Sequence, residues 1–274
     1  MRTANPEFRR TDLATRRQFR PTDVVALALA AALLGIFLAI NFAQLVAAPG
    51  RTLASLGITA AFAVLAWHSR GVNISGALAG SAIAFILAAR EIMMFCLLLG
   101  VFAVTLAATR LGAQRKQQLR IAEASDGRSA SQVMANLGVA TLLAVFAPSG
   151  WTVLALAALA EAAADTSSSE IGLAFPGKTF LITNWKPVSP GIDGGISLRG
   201  TAAGLAAAAA IALAGKFWGL VPSHHAAAIV YAGFLGTLVD SLLGALLERR
   251  GWLNNDLVNL LSTAAAVGIA WILM

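Results

Sequence analysis

Apolar residues run along this chain in long, nearly unbroken stretches, and the polar residues gather in the gaps between them. A helix needs about 20 apolar residues to cross the hydrocarbon core of a bilayer, fewer when it packs among neighbours. By that measure the pattern predicts an all-α, polytopic transmembrane helical bundle. It has about nine spans, at 23–45, 52–68, 74–89, 91–109, 132–147, 151–164, 200–219, 225–247 and 256–274. The two short runs on either side of residues 148–150 read alternatively as one re-entrant hairpin. Alanine and glycine recur throughout, which suits close helix packing in lipid.

Composition supports the same class. Of 274 residues, 58% are hydrophobic and only 12% charged, against roughly 25% charged in a soluble domain. Too few charges remain to cover a water-facing surface. The formal net charge of +7 is placed unevenly. With the N-terminus in the cytosol, all Lys and Arg except Arg51, Arg90 and Lys216 fall on cytosolic segments, as the positive-inside rule requires. Six arginines between Arg2 and Arg20 precede the first apolar run, and no small-residue cleavage site follows a short core. That segment therefore reads as an orienting flank, not a cleavable signal. The expected organisation is a basic cytosolic segment, 1–22, and a transmembrane catalytic domain, 23–274, with cytosolic loops at 110–131 and 165–199. The expected location is a bacterial-type inner (plasma) membrane. Cys96 sits inside an apolar run and reads as a small core residue.

The loops carry local expectations of their own. The fourth helix is predicted to continue from Arg110 through Leu119 and to break at Asp126-Gly127. The segment Thr179-Phe-Leu-Ile-Thr183 has β character and is predicted to pair with Trp185 to Val188.

The densest polar cluster runs from Glu161 through Asp165-Thr-Ser-Ser-Ser169-Glu170 to Gly172, at the end of the sixth apolar run. Glu161 and Asp165, four apart, share a helical face. Carboxylates at a membrane boundary are costly and tend to be functional. An oxygen-only set suits a hard cation, and Mg²⁺ typically takes one or two carboxylates plus substrate phosphates. The competing structural account is that Asp165-Thr-Ser caps a following turn; that explains one carboxylate, not three. In the eighth run, Gly236, Asp240 and Gly244 form an i, i+4, i+8 stripe that invites a helix or ligand to approach closely. An ion pair of Asp240 with Arg199 or Arg115 is the structural alternative. The turn Pro190-Gly-Ile-Asp-Gly-Gly-Ile-Ser197 before Arg199 offers glycine amides and a helix N-terminus to phosphate oxygens. Gly172 to Thr179 matches G-x-x-x-x-G-K-T, but a helix precedes it and a β-like run follows. A P-loop needs the reverse order, so the match reads as coincidence. The basic stretch from Arg110 to Arg128, with Gln132 and Asn136 entering the fifth run, is ordinary positive-inside charge by default. His224 and His225 fall on the far side and have no metal-ligand companions.

Taken in order, these segments resemble one family. They are Arg115-Lys116, Gly127-Arg-Ser-Ala-Ser-Gln-Val-Met-Ala-Asn136, Ala164-Asp-Thr-Ser-Ser-Ser-Glu-Ile-Gly172, Pro190 to Ser197 and Gly233 to Gly244. The chain from about residue 60 onward is similar to the membrane family of plant phytyl-phosphate kinase and animal transmembrane protein 19. The resemblance implies a CTP-dependent kinase that converts a prenyl monophosphate to the diphosphate at the cytosolic membrane face. Matched to family motif positions are Asn136, Asp165, Ser169, Glu170, Gly194, Gly195, Asp240 and Ser241; Asp193 departs from the asparagine often found there. Together the two lines of reading make Asp165, Glu170 and Asp240 the catalytic Mg²⁺ ligands. Lys116, Lys186 and Arg199 become phosphate partners, and Asn136, Ser169, Gly194, Gly195, Ser197 and Ser241 complete the substrate- and nucleotide-binding set. The partners implied are a nucleoside triphosphate, CTP first, a prenyl monophosphate and membrane lipid, with a homodimer allowed and no nucleic acid. A lipid or small-molecule transporter or flippase is the alternative. It would want polar groups and broken helices near the midplane, whereas these carboxylates crowd towards one face.

Overall fold

A computed structural model describes residues 20–118, 127–146, 150–175 and 177–274. Most of the basic N-terminal segment and residues 119–126 of the first loop lie outside the described residues. Each of the nine apolar runs forms one long helix: α1 (Pro21–Ala47), α2 (Pro49–His68), α3 (Ile74–Arg90), α4 (Ile92–Arg110), α6 (Ala130–Phe146), α7 (Trp151–Ala174), α8 (Leu198–Phe217), α9 (Ala226–Leu246) and α10 (Asn255–Leu273), with a short α5 (Ala113–Gln118) between α4 and α6. Among the described residues six helices are long and apolar enough to cross a membrane: α1, α2, α4, α8, α9 and α10. Helices α3 and α6 are apolar but shorter.

Helix α7 is the axis of the bundle. From Trp151 to Ala164 every residue except Thr152 is buried, because α4, α5, α6, α8, α9 and α10 all pack against it. Small residues make that enclosure possible. A Cβ on Gly236 of α9 would lie 2.6 Å from Glu161 Cγ and 2.9 Å from Ala266 Cβ. One on Gly204 of α8 would lie 3.0 Å from the Ala164 carbonyl. Without a hydrophobic drive between helices in lipid, this closeness is what van der Waals packing and buried hydrogen bonds depend on. Helix α1 packs on α3 and α6. It is pinned there by Asp23, 4% exposed, whose Oδ1 accepts from Ser131 N at 3.1 Å.

Two sequence expectations need correction. The fourth helix does not run on from Arg110. Gly112 takes φ +65°, and a Cβ there would sit 2.7 Å from Ala174 Cα, so the chain turns and α5 starts afresh. The polar cluster after Ala164 is not the start of a loop. α7 continues ten residues past the predicted end, to Ala174, and Gly200 and Gly204 let α8 run close against its Ala164, Ser168 and Gly172.

Beyond α7 the chain forms a three-stranded antiparallel sheet, β1 (Thr179–Leu181), β2 (Pro187–Val188) and β3 (Gly195–Ser197), in the order β2-β1-β3. Thr179 faces Val188 on one side and Ser197 on the other. This places the predicted hairpin, and draws the Pro190–Ser197 turn over the end of α9. Gly194 takes φ +76° there, where any Cβ would meet Ala245 Cβ at 2.4 Å. Gly172 lies within α7 against Ser197 Oγ and Thr179 opens a strand, so the G-x-x-x-x-G-K-T match builds no phosphate loop.

Gly236→Leu should wedge α9 off α7 and α10, lowering stability by about 1–3 kcal/mol. Thermal unfolding in detergent checks this, with Gly57→Leu, a position with no atom within 4 Å, expected to leave the midpoint near that of the wild type.

Candidate active site

The site begins with helical geometry on α7. Residues four apart share a face, whereas five residues turn about 140° around the axis. Glu161 and Asp165 therefore project towards α9 and α10, and Glu170 projects towards α5.

On the first face, Asp165 and Asp240 meet in a side-chain hydrogen bond. Two carboxyl groups hold that geometry by sharing a proton or by sharing a cation. Asp240 is supported from α10. Ser262 Oγ lies 3.3 Å from Asp240 Oδ2 and 3.0 Å from the Asn259 carbonyl. In the amide orientation that satisfies its neighbours, Asn259 Nδ2 donates to Asp240 Oδ2 at 3.1 Å, and its Oδ1 accepts from Asn136 Nδ2 at 3.2 Å. Beneath this pair sits Glu161, 1% exposed, reached by Ser262 and with Oε1 unpartnered among the described groups.

Asp165 and Asp240 open into a cavity of about 220 Å³ bounded by the ends of α7 and α9, the start of α10 and the Pro190–Ser197 turn. Ser169, Gly194, Gly195, Ser197 and Ser241 line it, as do Asp193, Glu248, Ser168, Thr179 and Asn255. It thus holds four carboxylates, and Glu248 lies within electrostatic reach of Asp193, Asp165 and Asp256. Among the described residues no lysine, arginine or histidine lines it. Such a surface would repel a bare polyphosphate, and a divalent cation between the two would offset that repulsion. The paired Asp165 and Asp240 with their hydroxyl neighbours fit Mg²⁺, which keeps waters and substrate oxygens in its remaining positions.

The rest of the expected set divides. Glu170 does not join the other two: it is 6% exposed and ion-paired with Lys116. No group of three His, Cys, Asp or Glu close enough to hold a metal exists among the described residues. The three expected carboxylates therefore do not converge: Asp165 and Asp240 meet, and Glu170 stands apart with Lys116. Lys116 does not line the acidic cavity. Its ammonium also donates to the Ala108 carbonyl at 3.2 Å and the Thr109 carbonyl at 2.7 Å, so all three N–H donors are spent on Glu170 and the end of α4. The Gly195 amide closes the turn on Ile192 O at 2.8 Å, and Ser197 Oγ caps α8 by accepting from Gly200 N at 3.2 Å. Those two groups are already used. Arg199 and Lys186 are exposed, the first on the opening turn of α8 and the second between β1 and β2. Asn136 does not line the acidic cavity and connects to it through Asn259. Sequence reasoning missed Asn255, Asn259 and Ser262, although their i, i+4, i+7 spacing marks one polar face of α10.

Asn136 borders a second cavity, between α2, α3, α4 and α6. Its wall is apolar, with Phe62, Leu98, Val101 and Phe102, and its polar end carries Arg128, Gln132, Asn136 and Thr166.

The segments that build both cavities are those by which the chain is related to other proteins. A family model described as integral membrane protein DUF92 matches residues 57–267. The chain belongs to that family. An uncharacterised membrane protein of Synechocystis sp. is 36% identical over 185 residues, 64% of this chain and 72% of the relative. Another, of Methanocaldococcus jannaschii, is 34% identical over 223 residues, 78% of this chain and 90% of the relative. The Arabidopsis thaliana protein VTE6, chloroplastic, is 32% identical over 181 residues, 61% of this chain and 54% of that protein. No solved structure matches. Every residue of the acidic cavity falls within the DUF92 match, while α1 precedes it.

Lys116→Met leaves Glu170 buried without its partner and should cost about 3–5 kcal/mol. Adding Glu170→Leu should recover most of that loss. Denaturation midpoints of the single and double variants test the assignment of this pair as a strut, and a double variant no more stable than Lys116→Met would contradict it.

Proposed function

We propose that this DUF92 protein is a membrane kinase that transfers the terminal phosphoryl group of a nucleoside triphosphate, CTP first, to a prenyl monophosphate. The product is a prenyl diphosphate. The observation that carries the reading is the four-carboxylate cavity at one end of the bundle, lined by no basic side chain among the described residues and built from the motifs that resemble the phytyl-phosphate kinase family. The nine-helix arrangement, with the N-terminus and this cavity on the cytosolic side of an inner membrane, belongs to the same proposal.

Phosphoryl transfer asks little covalent chemistry of a protein; it asks for position and charge neutralisation. Asp165 and Asp240 are the residues that would hold Mg²⁺, and the ion when bound supplies neutralisation of the triphosphate oxygens. Ser169 and Ser241 are placed to donate to phosphate oxygens from the cavity wall. Asp193 and Glu248 have room for the shell of a cation and would disfavour a nucleotide that arrives without one. Arg199 and Lys186, exposed beyond the cavity, fit the approach of an anionic substrate better than a role at the reacting atoms. The acceptor brings its own nucleophile: a phosphate monoester, with a second pKa near 6, carries its attacking oxyanion at neutral pH, so no side-chain base is required. The apolar cavity between α2, α3, α4 and α6 suits a hydrocarbon chain, and the Asn136–Asn259–Asp240 hydrogen bonds join its polar end to the acidic cavity.

Purified full-length protein with CTP, Mg²⁺ and geranylgeranyl or phytyl monophosphate should form the diphosphate. Asp165→Asn and Asp240→Asn should each reduce the rate at least about 100-fold, and Glu170→Gln, Lys116→Met far less in the fraction that stays folded. Absence of product with every prenyl monophosphate and nucleotide tried, from protein shown to be folded, would overturn the kinase reading.

A further inference from the structure

Arg51 and Arg90, two of the three cations that break the positive-inside pattern, stand 39 residues apart in sequence and together in space. Arg51 Nη2 donates to the Arg90 carbonyl at 3.2 Å. The Arg90 guanidinium lies 5.5 Å from the centre of the Trp151 ring. Both border a cavity of about 130 Å³ where the end of α1, the start of α2 and the end of α3 meet. Adjacent helices alternate in direction, so this cavity lies at the opposite end of the bundle from the acidic one. It is also built largely from α1 and the first turns of α2, which precede the DUF92 match.

The lining combines two features. Its polar part holds both arginines with Asn41, Gln44, Thr52 and Ser55, and among the described residues no carboxylate lines it. Asn41 and Ser55 are 6% and 3% exposed, so hydrogen-bonding groups are sunk into the wall. Among the described residues Arg51 makes no ion pair. Its apolar part, Phe37, Leu45 and Ala89, leads onto the outward faces of α1 and α2, where Phe42, Val46 and Leu53 are more than 60% exposed. Both arginines line the cavity, and a guanidinium such as that of Arg51 favours an anion that accepts hydrogen bonds in its plane, a geometry that phosphate oxygens match. The adjoining apolar track suits something with hydrocarbon attached.

We infer that this cavity binds the phosphodiester headgroup of an anionic phospholipid, in the leaflet opposite the acidic cavity, with its acyl chains along α1 and α2. The site clamps α1 onto α2 and α3, and so ties the helix outside the family match to the bundle. It does not depend on the kinase reading.

The test is thermal unfolding of full-length protein in a neutral detergent, titrated with phosphatidylglycerol, phosphatidylcholine or inorganic phosphate. Phosphatidylglycerol should raise the midpoint saturably, and the other two should not. Arg51→Gln removes one cation. Gln44→Glu, at an exposed position, sets a carboxylate in the cavity to compete with the lipid. Each should weaken the apparent affinity for phosphatidylglycerol by at least about tenfold, with lipid-free midpoints near wild type. Should Arg51→Gln fail to fold, Gln44→Glu decides alone. Equal stabilisation by phosphatidylcholine, equal stabilisation by inorganic phosphate, or undiminished affinity in Gln44→Glu would each overturn the proposal.

Discussion

The structure turns on burying a helix that carries carboxylates. α7 brings Glu161, Asp165 and Glu170 into a lipid-embedded bundle, where unpaired charge costs several kcal/mol. Protein on every side is the answer the chain adopts. Glycines on α8 and α9 let backbones come close enough to seal α7 from lipid, and Ala155 to Ala160 on α7 itself are small or well packed. The helix could not hold its acids if the flanking residues were ordinary leucines, because a Cβ alone at Gly236 already collides with Glu161.

Helical angle then divides the labour among the acids. The face shared by Glu161 and Asp165 turns to Asp240, Asn259 and Ser262, and leaves polar groups only partly satisfied. The face of Glu170 turns to Lys116, and that pair is closed by the Ala108 and Thr109 carbonyls. One side of α7 is a strut and the other a cavity rich in negative charge. Similar motif residues thus do different physical work, and conversion of a strut into an active-site residue would need Lys116 to abandon the end of α4.

Much of this was legible in the sequence. The nine apolar runs become nine helices, the 179–188 hairpin pairs as expected, and the Gly236–Asp240–Gly244 stripe does accept close neighbours, Glu161 at one end and the Gly194 turn at the other. What escaped depended on three-dimensional partners. Asp165 to Gly172 resembles a polar loop, but α7 runs on through it with Gly200 and Gly204 of α8 close against it. Lys116 sits in a basic stretch that reads as solvated charge, and nothing local reveals that its ammonium is buried. The five-residue step from Asp165 to Glu170 turns the two apart only on a continuous helix, and the polar run after Ala164 reads as a loop. Asp23, which fastens α1 to Ser131, looks like a lone acid beside arginines.

The central claim is that Asp165 and Asp240, without Glu170, form the cation site of a nucleotide-binding cavity. Mn²⁺ titrated into full-length protein in the presence of CTP, followed by electron paramagnetic resonance, measures that directly. The account predicts saturable protein-bound Mn²⁺ that is lost in Asp240→Asn and kept in Glu170→Gln. Binding that survives Asp240→Asn, or that disappears with Glu170→Gln in folded protein, would contradict it.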